Sequence, residues 1–423
     1  MTFLGELIVG LQHTWAYWLA LLFFAAYPIV TSIVWITTSM FFLRSWERAA
    51  GPDERTGSAY LPPVTVLIPA HNEAEVIADT LAAACRIDYP DYEVVVVDDG
   101  SNDDTAAQVE PFIAGGRVRL VRKLLNEGKA LALNDALPLC RGEIVLTLDA
   151  DAVADPRILH HIVPHFRSAR VAAVTGNPRV RNFGSFLARL QAIEFSSIVS
   201  LLRRSQRVWG RIVTVSGVVA AFRRSAVFDV GGFSPNMPTE DIELTWKLQK
   251  RFYDVRYEAR AIVWMTVPTS LRGLYRQRLR WARGLMQVFH KHADVMRHWK
   301  YRRMWPVFVE SALSILWAAC FVVLTAIWLV SWGLGYPPVG ASPIPNLWGM
   351  TIGTLCLLQL LVGTLVDRQY DRGILRYYAY AVWYPLVYWM FLSVTTVLSL
   401  SWLLRRPQAQ AVRWNTRRSG PAA

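Results

Sequence analysis

Charged side chains are absent from three long stretches of the chain, and this pattern separates membrane from soluble parts. The uncharged stretches cover residues 7–43, 311–366 and 377–404. A bilayer core of about 30 Å is crossed by roughly 20 apolar residues in helix, so each stretch can span at least once. Residues 44–305 carry most of the charge and have the mixed composition of a globular domain. The pattern predicts a membrane protein whose soluble domain lies between membrane-spanning segments.

The first uncharged stretch is followed, not preceded, by basic residues. Arg44, Arg48 and Arg55 come after it, whereas a cleavable signal peptide begins with basic residues. By the positive-inside rule, these arginines place the central domain in the cytoplasm. Pro28 leaves open whether the stretch forms one span or a hairpin. Because two full spans would need nearly every residue, we favour one span preceded by a short interfacial helix.

The C-terminal stretches predict two spans and a third segment of undecided path. Residues 306–332 and 347–366 each have the length of a span, and the loop at 333–346 between them is uncharged and rich in proline. The loop at 367–376 contains three arginines and is expected on the cytoplasmic side. Residues 377–404 are too many for one straight helix and too few for two. The sequence leaves open on which side the arginine-rich tail lies.

Within the soluble part, short apolar runs alternate with segments of helical pattern. Such runs are expected of strands at the centre of a sheet. Predicted strands cover residues 64–68, 93–97, 118–121, 143–148 and 171–175, and predicted helices cover 72–85, 104–112 and 129–139. Strands that alternate with helices indicate a mostly parallel α/β sheet, in which ligands bind at the carboxyl ends of the strands.

Two acidic clusters follow predicted strands directly. Asp98 opens the first, at residues 98–101, and Asp149 and Asp151 form the second. Because the carboxyl ends of parallel strands meet at one edge of the sheet, we expect both clusters to face one crevice. An Asp-Xaa-Asp motif alone is common in solvated loops. The position of both clusters at the carboxyl ends of strands is what indicates a binding site.

Two further motifs complete an ordered set. Thr239, Glu240 and Asp241 stand at the start of a predicted helix, with Thr239 as its N-cap. A Gln-Arg-Leu-Arg-Trp motif occupies residues 277–281. Each motif alone has an ordinary structural explanation, as a helix cap or as a packed interfacial helix. The order of all four, flanked by apolar stretches, is far more specific.

The net charge of +13 is concentrated before the second apolar stretch. Residues 272–303 hold ten lysines or arginines and one acid, Asp294, with apolar residues between them. This amphipathic pattern is typical of helices at the lipid interface. No nucleic-acid-binding motif accompanies the charge, which makes nucleic acid an unlikely partner. The four cysteines lack metal-ligand spacing and are expected to be buried small residues.

The chain resembles the processive, membrane-integrated members of glycosyltransferase family 2, which include cellulose, chitin and hyaluronan synthases. The resemblance begins at the Pro-Ala-His-Asn-Glu segment 69–73 and extends to the basic tail. VTGNPRVRN from Val174 and PTEDIELTWKLQ from Pro238 are most similar to the bacterial poly-β-1,6-N-acetyl-D-glucosamine synthases. Two departures are an N-terminal apolar region shorter than the two-span form and Arg283 where glutamine is expected. The first concerns the number of spans and the second the acceptor contacts.

The residues suit a sugar-nucleotide donor. The Asp98 carboxylate can accept the imide hydrogen of uracil. A diphosphate would be repelled by Asp149 and Asp151 unless a divalent cation lay between them, and Mg²⁺ or Mn²⁺ prefers such oxygen ligands. Lys129 either approaches the diphosphate or is a solvated lysine at a helix start.

Other residues suit the acceptor and the transfer step. Asp241 is the candidate general base that removes the proton of the acceptor hydroxyl. Arg280 can form charge-assisted bonds to the leaving diphosphate, and Trp281 offers an apolar face to the acceptor sugar. The catalytic candidates are Gln277, Glu240, Asp241, Arg280 and Trp281, and the substrate-binding candidates are Ala70, Glu73, Asp98, Lys129, Asp149, Asp151 and Thr239.

The resemblance implies a GT-A-type α/β domain inserted between transmembrane helices in a bacterial inner membrane. It also implies an inverting polymerisation of N-acetylglucosamine from UDP-N-acetylglucosamine, export of the polymer, a small membrane partner subunit and cyclic-dinucleotide regulation. The predicted parts are the membrane segment 1–46, the catalytic domain 47–268, the interface helices 269–305, the transmembrane region 306–404 and the basic tail 405–423. The alternatives are another synthase of the family, a transferase that adds one sugar to a lipid, and a non-catalytic membrane transporter or scaffold.

Overall fold

A computed structural model describes residues 3–48, 60–335, 347–405 and 411–413. The strands are β1 Val64–Ala70, β2 Tyr92–Asp99, β3 Val118–Lys123, β4 Ile144–Leu148, β5 Val153–Ala154, β6 Val171–Val180, β7 Val219–Arg223 and β8 Asp254–Met265. The helices are α1 Phe3–Gln12, α2 Trp15–Phe42, α3 Ile77–Ala84, α4 Thr105–Ala114, α5 Lys129–Ala136, α6 Ile158–Ile162, α7 Phe186–Glu194, α8 Ser200–Trp209, α9 Arg224–Asp229, α10 Glu240–Lys250, α11 Leu271–Lys291, α12 Trp305–Gly333, α13 Leu347–Asp367 and α14 Trp389–Ser399.

The eight strands form one mixed sheet in the order β3-β2-β1-β4-β7-β6-β8-β5. The first four are mutually parallel, as the sequence predicts. The prediction of a mostly parallel sheet is confirmed, because β6 and β8 run in the same direction as these four strands, and of the eight strands only β7 and β5 run the opposite way. The predicted strands do not include β5, β7 or β8. Every residue of β1 and β4 is buried, because helices cover both faces of the sheet.

Two hydrophobic cores lie on opposite faces of the sheet because the side chains of each strand alternate between faces. In β1, Val66 and Ile68 belong to one core and Leu67 to the other. Helices α3 and α6 contribute to the first core, whereas α5 and α10 contribute to the second. The acidic clusters at the strand ends are therefore held by a rigid platform.

Three helices of the described residues are long and apolar enough to cross a membrane. They extend over Trp15–Glu47, Trp299–Gly333 and Gly349–Asp367, judged by length and composition. The first passes through Pro28 without a break and follows the short helix α1. The last apolar stretch stays helical through Pro385, where a π-helical turn at Tyr384–Tyr388 leads directly into α14. Most of the predicted loop at 333–346 and of the basic tail lies outside the described residues.

A buried ion network joins the apolar helices to the sheet of the soluble domain. The Arg204 guanidinium on α8 donates to Glu47, with Nε 2.8 Å from Oε2, and lies 2.8 Å from Asp367 Oδ1. Arg179 on β6 also pairs with Asp367. All four side chains are at most 3% exposed. Because Glu47 ends the first apolar helix and Asp367 ends α13, the network fixes both to the soluble domain.

Candidate active site

One cavity of about 1840 Å³ extends from the carboxyl edge of the sheet to the apolar helices. Nine of the predicted site residues line it, namely Lys129, Asp149, Asp151, Thr239, Glu240, Asp241, Gln277, Arg280 and Trp281. Polar residues of the apolar helices also line it, among them Thr31, Ser32, Glu310, Ser314, Gln359 and Ser393. Three of the four predicted motifs therefore meet in one chamber, which continues beside the apolar helices, whereas the Asp98 cluster does not line it.

Lys129 joins two of the acidic motifs. It is the first residue of α5, and its Nζ lies 2.6 Å from Asp149 Oδ1 and 3.4 Å from Glu240 Oε1. The same ammonium group donates to the Gly217 carbonyl at 2.9 Å. The two neighbouring carboxylates hold the pKa of Lys129 above its ordinary value despite burial. The cation at the centre of the site therefore reduces repulsion between carboxylates and an incoming diphosphate.

Asp241 has the environment of a general base. Burial, and then the negative charge of Glu240, raise the pKa of Asp241 to about 6, although Lys129 and Arg280 oppose the shift. Its Oδ1 accepts a hydrogen bond from the Ile242 backbone N–H at 2.9 Å. A carboxylate with a pKa near 6 is a stronger base than an ordinary aspartate and is still largely ionised at neutral pH.

The N-terminus of α10 is pressed against α11. Thr239 is the residue that precedes α10, as predicted, but its side chain makes no capping hydrogen bond. A Cβ at Gly284 of α11 would collide with the Thr239 side chain, so only glycine permits this close approach. The contact brings Asp241 and the Gln-Arg-Leu-Arg-Trp motif of α11 to the same wall.

Trp281 is held by a buried cluster that sequence reasoning missed. The Arg278 guanidinium lies over the Trp281 ring at 4.2 Å from its centroid. Arg278 Nη2 donates to Glu194 Oε2 at 2.5 Å and lies 3.1 Å from the Tyr388 hydroxyl, which itself donates to Glu194 at 2.8 Å. Arg278 and Glu194 are 84 positions apart and Tyr388 is 110 positions from Arg278, so no local pattern signals the contact.

Gln277 and Arg280 have side chains available to a ligand. The buried Gln277 Oε1 has no hydrogen-bond partner among the described residues. Arg280 Nη1 makes one long contact, at 3.5 Å, to the Pro238 carbonyl. Both groups line the cavity, where an amide can bind sugar hydroxyls and a guanidinium can bind phosphate.

Ala70, Glu73 and Asp98 are not among the residues that line this cavity. Ala70 and Asp98 are paired neighbours at the ends of β1 and β2, and Asp98 lies two strands away from β4. Asp98 is 1% exposed and accepts a hydrogen bond from the Ser101 N–H at 2.9 Å. Glu73 is fully buried. The assignment of all three as substrate-binding residues, with Asp98 at the uracil base, therefore stays a prediction.

Residues 411–413 of the basic tail lie at the catalytic chamber, near the start of α5. Val412 N donates to the Pro235 carbonyl at 2.8 Å, and Val412 and Arg413 line the cavity. Gly128 has a φ of +97°, and a Cβ there would overlap the Val412 carbonyl. Glycine is therefore required immediately before Lys129.

Asp149 and Asp151 suit a magnesium or manganese ion. Both are about 6% exposed and line the cavity. No group of three or more His, Cys, Asp or Glu residues able to hold a metal occurs among the described residues. Mg²⁺ is commonly held by one or two carboxylates together with substrate phosphates, so two aspartates fit such an ion without a complete protein cage.

A mostly parallel sheet with acidic motifs at its carboxyl edge, beside a large chamber, is the arrangement expected of a nucleotide-sugar transferase. The model of the glycosyltransferase-like family 2 matches residues 62–284. The chain belongs to glycosyltransferase family 2, and its predicted enzyme class, a hexosyltransferase, is confirmed.

The chain is similar to known synthases over most of its length. It is 32% identical over 403 residues to the poly-β-1,6-N-acetyl-D-glucosamine synthase of Staphylococcus epidermidis, covering 93% of this chain and 97% of that protein. It is also 32% identical over 406 residues to the synthase of the same name from Staphylococcus aureus, with the same coverage. A mannosyltransferase of Pyrobaculum calidifontis, solved with GDP-Man and Mn²⁺, has a TM-score of 0.60 at 23% identity, covering 90% of this chain and 99% of that one. These findings confirm the GT-A-type domain flanked by apolar helices.

Proposed function

We propose that this chain polymerises N-acetylglucosamine from UDP-N-acetylglucosamine into a β-1,6-linked exopolysaccharide, of the kind found in biofilm matrices. The main support for the proposal is that Asp149 and Asp151, the Thr-Glu-Asp motif at 239–241 and the Gln-Arg-Leu-Arg-Trp motif line one chamber that continues along apolar helices. The 32% identity to two synthases of that name over 93% of the chain supports the donor and the linkage.

The transfer step is a single displacement at the anomeric carbon. Asp241 accepts the proton of the acceptor's 6-hydroxyl while that oxygen forms a bond to C1 of the donor sugar. The bond from C1 to the diphosphate oxygen breaks, and UDP leaves with the electron pair. A single displacement converts an α-linked donor into a β-linked product, the outcome that the family resemblance implies.

The leaving diphosphate is stabilised by groups on two sides. Mg²⁺ or Mn²⁺ held by Asp149 and Asp151 would supply Lewis-acid stabilisation of the departing charge. Arg280 donates charge-assisted hydrogen bonds to the same group, and Lys129 neutralises the carboxylates around it. Trp281 places the acceptor sugar, because an aromatic face packs against the C–H face of a pyranose ring.

The cavity provides a route from synthesis to export. Thr31 and Ser32 on α2, Glu310 and Ser314 on α12 and Gln359 on α13 line the same chamber as Asp241. Hydroxyl, amide and carboxyl groups beside apolar helices suit a hydroxyl-rich polymer. We infer that the chain lies in the bacterial inner membrane with its soluble domain in the cytoplasm, and that the product leaves between the apolar helices.

A donor panel tests the proposal. Detergent-purified protein is incubated with UDP-N-acetylglucosamine, UDP-glucose or UDP-glucuronate, with Mg²⁺, with Mn²⁺ or with chelator, and UDP release is measured. The proposal predicts rapid release from UDP-N-acetylglucosamine alone and loss of release with chelator. Preference for UDP-glucose or UDP-glucuronate would indicate a cellulose- or hyaluronan-type synthase, and product of one added sugar would indicate a lipid glycosyltransferase.

A further inference from the structure

A cluster of arginines that has fewer neighbouring carboxylates than guanidinium groups lies outside the lining of the catalytic chamber. Arg207 and Arg211 stand at the C-terminal end of α8, and Arg256 lies on β8. The acidic partner recorded for them is Asp254, whose Oδ1 is 3.4 Å from Arg211 Nη1. Three guanidinium groups therefore share one nearby carboxylate.

Two of these guanidinium groups have buried donors without a protein acceptor. The Nε atoms of Arg211 and Arg256 are buried and have no hydrogen-bond partner among the described residues. The whole Arg211 residue is only 5% exposed. Burial, and then the charge of Arg256, lower the pKa of Arg207 to about 10. A buried donor without an acceptor is costly, so the surplus positive charge of these three groups favours an anionic partner.

The cluster lies where the first two apolar helices leave the soluble domain. The Arg207 guanidinium lies 5.4 Å from the centroid of the Trp46 ring, near the end of the first of these helices. Arg303, close to the start of the second, is within electrostatic reach of Arg211. Trp46 and Trp209 are 46% and 51% exposed. Exposed tryptophans beside arginines are typical of the level of lipid headgroups.

We propose that Arg207, Arg211 and Arg256 form a binding site for the phosphate of an anionic lipid headgroup. The planar guanidinium donates two parallel hydrogen bonds to phosphate oxygens, and the position at the helix ends is the depth at which lipid phosphates lie. This site is separate from the proposed sugar transfer, and it does not depend on which sugar the chain transfers.

The site is mechanically connected to the catalytic chamber. Arg211 begins the segment that leads to Gly217, whose carbonyl accepts the Lys129 ammonium at 2.9 Å. Along the way Val213 O accepts from Trp246 Nε1 and Val215 N donates to Thr245 Oγ1, both on α10, the helix that carries Asp241. A headgroup that holds the end of α8 thus stabilises the segment that positions Lys129 and α10.

The test compares lipid discs with and without anionic lipid. Full-length protein is reconstituted in phosphatidylcholine or in an equimolar mixture with phosphatidylglycerol, and two quantities are measured: phosphatidylglycerol retained through detergent washing, and UDP release. The variants are Arg207→Gln, Arg256→Gln and Arg207→Lys. The matched control is Arg376→Gln, because Arg376 also lies over an aromatic ring, Tyr377, beside an apolar helix but is not one of the arginines grouped around Asp254.

We expect phosphatidylglycerol to be retained by the wild type and to stimulate it. Removing one arginine charge from the site should weaken retention by about fivefold, so Arg207→Gln and Arg256→Gln should each show this weaker retention and a smaller stimulation, and keep the rate in phosphatidylcholine. Arg207→Lys should keep part of both, since it retains the charge without the paired donors, and Arg376→Gln should behave as wild type.

Three results would overturn the site. These are equal retention by wild type and glutamine variants, equal loss in Arg376→Gln, and stimulation in phosphatidylcholine discs by soluble glycerol phosphate, which would show a free phosphate ligand instead of a lipid. Retention is measured without any sugar donor, so its failure is distinguishable from failure of the proposed transfer reaction.

Discussion

At the scale of single residues, the account depends on the different electrostatic roles of neighbouring carboxylates. Asp149 is paired with Lys129 and suits a cation, whereas Asp241 has its pKa raised to about 6 and suits a proton. The two carboxylates of this chamber are therefore suited to different tasks, cation binding by Asp149 and proton transfer by Asp241.

Asp241→Asn tests the base directly. Asparagine keeps the shape of the side chain and its position at the start of α10 but cannot take a proton. We expect polymer synthesis to fall by about 10²–10⁴-fold while donor affinity and thermal stability stay near the wild-type values. Near-wild-type turnover in a folded preparation would remove Asp241 from this role.

The pH profile tests the cause of the raised pKa. The base works only when ionised, so kcat/KM should fall as the pH drops through about 6, the pKa of Asp241. Glu240 raises that pKa by its negative charge, so Glu240→Gln should move the acid limb of the profile to lower pH, whatever it does to the maximal rate. An acid limb that stays in place would show that Glu240 does not act on the base.

At the scale of elements, helix α11 depends on partners that are distant in sequence. Arg278 lies between the Trp281 ring and the Glu194 carboxylate, and Tyr388 completes the cluster from the last apolar segment. Trp281 therefore has its orientation set by α7 and by the apolar segment before α14. This placement makes Trp281 a suitable platform for the acceptor sugar.

Trp281→Ala and Glu194→Gln should separate the platform from its support. Trp281→Ala should leave UDP-sugar binding nearly intact and strongly reduce polymer, because a misplaced reacting group can cost about a hundredfold. Glu194→Gln should reduce polymer length and raise the acceptor KM, with donor KM unchanged, since Arg278 loses its charged partner. Normal polymer from a folded Trp281→Ala variant would refute the platform.

The extent of prediction from sequence differs between elements for physical reasons. β1, β2 and β4 are continuous apolar runs, so their pattern is local and readable. In β8 the buried and half-exposed positions alternate irregularly, and its pairing with β6 shifts register twice, which hides the strand. The acidic motifs could be predicted because each directly follows a strand that the local pattern predicts. Glu194 and Tyr388 contact Arg278 only through tertiary packing, which no local pattern shows.

At the scale of the whole molecule, the buried network of Glu47, Arg179, Arg204 and Asp367 joins the apolar helices to the sheet. The chamber is continuous only if the soluble domain and these helices keep their relative position. Removing one partner leaves a buried charge without compensation, a change that costs about 3–5 kcal/mol.

Glu47→Gln should therefore lower the thermal unfolding temperature in detergent and reduce polymer yield. The matched control is Asp91→Asn, which removes a carboxylate from a pair whose side chains are 66% and 59% exposed. Exposed pairs contribute at most about 1 kcal/mol, so this control should leave both quantities unchanged. Equal unfolding temperatures for the two variants would contradict the role of the network as a clamp.

The proposed product of this chain is a β-1,6-linked N-acetylglucosamine polymer, and product analysis is the decisive measurement. Purified protein in lipid discs is given radiolabelled UDP-N-acetylglucosamine, and the product is sized and then digested with a hexosaminidase specific for β-1,6 linkages. We expect long chains that the hexosaminidase degrades completely, and no product from the Asp241→Asn variant. Short products, or long chains that resist this enzyme and yield to a chitinase, would contradict it.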